Sequence, residues 1–205
     1  MADTATIARF ELPLALFLGV ANVVSEFVPG SKAPLVLVGA VAWLSLVAAH
    51  VRADRTILRR WGLRVDTLRA AALPAAAVAV PLLVALTVWG YLAGRIPPPR
   101  GFLSIVLVYP AWGIAQQFLL QAIVWSNLSA RLPRGVAQPL AAALFAASHA
   151  PDWPIMALTL PVGLAAIEHY RRWPNLWVLG TAHALLGTFA FYFLLGRDPL
   201  APLLQ

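Results

Sequence analysis

FLSIVLVYPAWGIAQQFLLQAIVWSN, residues Phe102–Asn127, is the stretch on which the reading of this chain turns. At ~1.5 Å rise per helical residue it is long enough to cross a bilayer. Yet Gln116, Gln117 and Gln121 stand in its middle, and an unpaired amide in an apolar medium costs on the order of 2–7 kcal/mol. Gln117 and Gln121, four apart, share a helix face, with Gln116 roughly 100° round from Gln117. That face is predicted to look into a protein interior or a water-filled cavity, so polar residues are expected to meet it from other helices.

The composition sets the solvent. The chain is 61% apolar and 11% charged, against roughly 25% charged in soluble domains, and it cannot cover itself with polar surface. Its 205 residues suit a single membrane domain spanning 1–205. The net charge of +7 does not point to nucleic acid, because the basic residues lie between apolar runs rather than on a soluble module. With no cysteine, disulfides, thiol catalysis and thiolate metal sites are excluded. Arg9 ahead of LPLALFLGV resembles the start of a signal peptide. However, Glu11 at the head of that run and the lack of an Ala-x-Ala site favour an uncleaved first membrane helix.

Seven apolar spans can be read, and the expected fold is an all-α polytopic helix bundle with one interfacial amphipathic helix. The spans run approximately Leu12–Val28, Ala33–Val51, Ala71–Ala93, Phe102–Asn127, Pro139–His149, Ile155–His169 and Leu176–Leu195. Pro29-Gly30 closes the first, Gly94 and Pro97-Pro98-Pro99 the third, and Pro151-Asp152-Trp153-Pro154 turns the fifth into the sixth. Between the second and third, RADRTILRRWGLRVDTLR (Arg52–Arg69) mixes six arginines with Ile57, Leu58, Trp61, Leu63, Val65 and Leu68. It reads either as an amphipathic helix on an anionic leaflet, broken near Gly62, or as a charged loop.

Charge sets the orientation. With Arg52–Arg69 in the cytoplasm, eleven of the 15 lysines and arginines share that side. Lys32, Arg95, Arg100 and Arg197 fall opposite, which favours a cytoplasmic N-terminus. Gln117, His149 and His183 then lie at one depth, ~12–15 Å below the cytoplasmic surface. Intramembrane ionisable groups are candidates for function, although amides also serve as glue between helices. His149 can equally be an interfacial helix end, and His183 a histidine that simply bonds a neighbouring helix. Tyr109, Trp112 and Gln116, at i, i+3 and i+7, form either a packing seam or a substrate wall.

In their order, Gln116-Gln117-Phe118-Leu119-Leu120-Gln121, Phe145-Ala146-Ala147-Ser148-His149 and His183-Ala184-Leu185-Leu186-Gly187 resemble the motifs of the CPBP intramembrane proteases. That family includes the prenyl-protein CAAX endopeptidases and bacteriocin-processing or Abi proteins, and its motifs read Glu-Glu-x-x-x-Arg, Phe-x-x-x-His and His-x-x-x-Asn. The run RRWPNLWVLGTAHALLG is similar to the family's approach to its last histidine, and the likeness covers about Trp112–Phe189 within a family-like core near 102–195. The resemblance implies an intramembrane endopeptidase site at Gln116, Gln117, Gln121, His149 and His183. There the first glutamate would activate water, the second would pair with arginine, and the histidines and asparagine would orient water and stabilise the oxyanion.

The chemistry at these positions differs. An amide is not basic near neutral pH, so Gln116 cannot serve as the general base. Gln117 and Gln121 replace an ion pair with neutral partners, an exchange a fold can tolerate when it is made wholesale. Gly187 lacks an amide donor. Loss of general acid–base help removes ~10²–10⁴ in rate. The leading expectation is therefore a peptidase scaffold, catalytically impaired, that binds a partner's transmembrane helix or lipidated tail as an assembly subunit. The alternative is an active CAAX-type peptidase using a histidine base. No cofactor, metal or nucleic acid is expected; membrane lipids are, in a bacterial inner membrane. Glu168 beside Arg171 and Arg172 reads as a solvated salt bridge rather than a zinc ligand, and the absence of inverted repeats disfavours a transporter.

Overall fold

The computed structural model describes residues 7–98 and 101–197. Pro99 of the triple-proline break and Arg100 of the charge asymmetry lie outside the described residues, as do 1–6 and 198–205. Every regular element among the described residues is helical. The chain forms two compact units, Met1–Gly62 with Leu119–Arg171 and Leu63–Phe118 with Arg172–Gln205, so each draws on two separated parts of the sequence.

The elements in chain order are α1 (Glu11–Ser25), α2 (Lys32–Ala53), α3 (Ile57–Arg60), α4 (Leu68–Leu92) and α5 (Phe102–Gln117). α5 runs on through a π-helical stretch (Phe118–Trp125) into α6 (Ser126–Ser129). α7 (Arg134–Ala147), α8 (Trp153–Arg172) and α9 (Leu176–Phe189) complete the set, and α9 ends in a second π-helical stretch (Ala190–Leu195). Six of the seven apolar runs match these bounds to within about three residues, whereas α7 begins at Arg134, five residues ahead of the run expected from Pro139. Four helices are long and apolar enough to cross a membrane: Lys32–Ala53, Leu68–Leu92, Phe102–Ser129 and Leu176–Leu195. The other three runs fall short of that standard. α1 is apolar but only 15 residues long, α7 has 14, and α8 takes Glu168, His169, Arg171 and Arg172 into its last turns. Large apolar side chains such as Phe17, Leu37, Leu44, Leu73, Leu107 and Val108 are exposed, as the helices of an integral membrane protein require of their lipid-facing sides.

The basic segment is less helical than an amphipathic helix over Arg52–Arg69 requires. α2 stops at Ala53, where Asp54 turns extended and its carboxylate accepts from the backbone N–H and hydroxyl of Thr56. One turn, Ile57–Arg60, follows and ends before Gly62, whose φ of +83° is left-handed. Asp and Gly are the residues that offer the backbone these alternatives to a helix. Arg55 and Arg64 therefore stand in the non-helical connections, while Arg52, Arg59, Arg60 and Arg69 belong to α2, α3 and α4. In the loop before α4, a hydrogen bond to Asp66 raises the pKa of Arg64.

Two buried anchors fix the loop ends. Tyr170 on α8 donates its phenol to the carbonyl of Trp61, 2.9 Å away, within the first unit. In the second, fully buried Asn175 caps α9 by accepting from the N–H of Val178, while its amide nitrogen donates to the Arg64 carbonyl and to Thr67. One side chain thus starts α9 and ties it to the approach of α4.

Candidate functional site at the crossing of α5 and α9

α5 and α9 cross backbone against backbone. A Cβ placed on Gly113 would overlap the Gly180 carbonyl oxygen, and one on Gly180 would sit 2.5 Å from the Cα of Ile114. Small residues permit such approaches in membranes, where dispersion contacts rather than a hydrophobic force hold helices together. Phe102, Ile105, Tyr192 and Phe193 close the packing nearer the start of α5.

Gln116 and His183 each lie three residues beyond their helix's glycine, which brings their side chains together. Nε2 of His183 stands 3.1 Å from Oε1 of Gln116. An amide oxygen only accepts, so the imidazole donates here through Nε2–H, and in the neutral ring the lone pair stays on Nδ1. Gln117 is fully buried in the same unit. A Cβ on Gly187, one turn beyond His183, would meet only a ring carbon of Tyr109, at the ordinary distance of 3.5 Å. The position that lacks an amide donor therefore has room to begin a side chain, and Tyr109 lies along it.

Gln121 and His149 belong to the other unit. Gln121 is fully buried and lies inside the π-helical stretch. The four-residue spacing of Gln117 and Gln121 therefore spans a change from i→i+4 to i→i+5 pitch, which the apolar pattern did not signal. Wide π turns occur often at functional sites. His149 lies just past α7, where its Nδ1 stands 2.9 Å from the carbonyl of Phe145 and its ring meets the Phe145 ring edge-on at 5.1 Å. This contact accounts for the Phe-x-x-x-His spacing. The carbonyl one turn back takes the Nδ1 proton and leaves Nε2 with the lone pair. Asn22 of α1 donates to the Ser148 carbonyl at 3.0 Å, fixing the backbone beside that histidine. Asn22 escaped the sequence reading because a single amide in a first span carries no spacing signal. Glu168 accepts from Arg134 at 2.6 Å and from Arg171 at 2.9 Å, a partly exposed ion pair of the kind its flanking arginines suggest.

The long apolar helices define an integral membrane protein. Residues 97–189, a little under half of the chain, match the model of the Rce1-like, type II CAAX prenyl endopeptidase family, which supports the likeness to the CPBP (CAAX protease-like) family. No curated protein and no solved structure matches the chain.

Proposed function

We propose that the chain keeps the cavity of a CAAX-type intramembrane peptidase, has given up glutamate-driven hydrolysis, and binds a partner's transmembrane helix or lipidated tail as an assembly subunit. We place it in a bacterial inner membrane with its N-terminus in the cytoplasm, on the eleven-to-four division of its 15 basic residues. The reading rests above all on the 3.1 Å contact of His183 with Gln116. The imidazole spends its Nε2 proton on an oxygen that cannot take up a proton near neutral pH. A water held there would be oriented but not activated by that residue.

Purification from its own membrane in mild detergent tests the proposal: a partner is retained, and no co-expressed lipidated substrate is cleaved. Cleavage by the wild-type protein would overturn it. The second reading, a peptidase with a histidine base, draws on the Nε2 lone pair of His149. It requires cleavage that disappears in His149→Ala while the protein stays folded. The triple change Gln116→Glu, Gln117→Glu and Gln121→Arg separates the two from the other side. Gain of cleavage marks a cavity poised for hydrolysis but lacking its base.

A further inference from the structure

The first unit buries a second polar cluster that the site does not use. Glu11, His50 and Asn127 are 6%, 2% and 8% exposed and come from three helices: the first turn of α1, the last turn of α2 and α6. Nε2 of His50 lies 2.9 Å from one carboxylate oxygen of Glu11. That is ion-pair range, although the ring nitrogen is not aligned as a hydrogen-bond donor. The other carboxylate oxygen accepts from the Asn127 amide at 2.6 Å. The Asn127 oxygen in turn accepts from Arg131 at 2.9 Å. A carboxylate at a helix N-terminus and an imidazole at a helix C-terminus each suit the local dipole.

The placement of Asn127 gives the cluster its meaning. The amide nitrogen that donates to Glu11 also donates to the carbonyl of Ile123 at 3.0 Å, and Ser126 donates to the carbonyl of Gln121 at 2.9 Å. Both carbonyls belong to the π-helical stretch, just before it returns to α geometry in α6. Side-chain donors are what allow a membrane helix to hold such irregular turns. Relaxing the stretch by one residue would turn everything beyond it by roughly 100°.

We propose that Glu11 and His50 form a buried clamp which, through the amide of Asn127, holds the π-to-α junction of the glutamine-bearing helix in its register. The segment is then a two-register element, π-helical with the clamp closed and α-helical with it open. The start of α1, more than a hundred residues away in sequence, thereby sets the rotation of Gln121. The proposal holds whether or not the cavity hydrolyses peptides.

Hydrogen–deuterium exchange of the full chain in nanodiscs tests it. Glu11→Ala raises exchange of amides 119–127 by about tenfold or more, leaves amides 102–113 unchanged, and adds nothing in an Asn127→Ala background. Glu11→Gln, which keeps an oxygen for Asn127, leaves 119–127 protected. Glu26→Gln, which breaks the exposed pair of Glu26 with Lys32 near the same helices, also leaves 119–127 unchanged. If Glu11→Ala does not fold, Glu11→Met against Glu11→Gln gives the same contrast. Unchanged exchange at 119–127 in Glu11→Ala or Glu11→Met, an equal rise along the whole chain, or a Glu11→Gln variant as loose as Glu11→Ala would each overturn the clamp.

Discussion

In the unit that contains α5 and α9, the polar contact joins an imidazole to an amide. Gln116 and His183 meet beside a glycine crossing. In the other unit the contact is ionisable: Glu11, His50 and Asn127 are packed at helix ends, with Arg131 bonded to Asn127. The difference shows where each kind of group can be held. A carboxylate at a helix N-terminus and an imidazole at a C-terminus gain from the dipoles, whereas mid-helix positions offer no such help and here carry amides. Amides occupy the middle of the glutamine-bearing helix, whereas ionisable groups stand at helix ends where they tie helices together.

Substitutions at the two places should therefore behave differently. The largest effect is expected at Glu11. Glu11→Ala leaves His50 without its carboxylate and takes from Asn127 one of its bonds inside the first unit, and loss of one partner from a buried pair costs about 3–5 kcal/mol. Thermal unfolding in detergent should register it as the strongest single destabilisation of this set; a change below that of Gly180→Ala would mean that the buried pair is not what holds these helices. Gly180→Ala comes next. Its methyl would meet the α5 backbone, and overpacking costs about 1–3 kcal/mol. The same variant should separate Gln116 from His183, seen as a shift in the imidazole ¹⁵N resonances of His183.

Gln116→Ala removes only the neutral hydrogen bond, so about 0.5–1.5 kcal/mol is expected, with the backbone crossing intact. Glu168→Ala, at an exposed pair with Arg134 and Arg171, should cost at most about 1 kcal/mol, and that little should fade in high salt. Smallest of all is Gly187→Ala, whose added methyl meets Tyr109 at ordinary contact distance. Unfolding within about 0.5 kcal/mol of wild type would show that this position can carry a side chain again.

The apolar runs made the helices legible because each is bounded by Pro, Gly, Asp or Arg, and the bounds of α2, α4, α5 and α9 fall within a few residues of them. Gln116 and His183 were legible too, because a polar residue inside a hydrocarbon-length run needs a partner. Glu11 and His50 sit at the ends of their runs, where a polar residue is the normal boundary with water, so nothing in spacing set them apart. The π-helical stretch left no trace in FLLQAIVW, since a change of pitch over one turn barely alters an apolar pattern. What marks it in three dimensions is Ser126 and Asn127 donating back to carbonyls, and neither residue looks unusual at the end of a span. The break in Arg52–Arg69 was half legible. Gly62 announced it, whereas the stop at Asp54 depends on a side chain reaching Thr56.

The carbonyl of Phe145 that receives the His149 proton is part of the main chain, one turn back on the same helix. No substitution of a side chain elsewhere can withdraw that oxygen, so the ring keeps its orientation whatever the flanking side chains are. The same bond leaves the opposite nitrogen, Nε2, as the one that can accept a hydrogen bond.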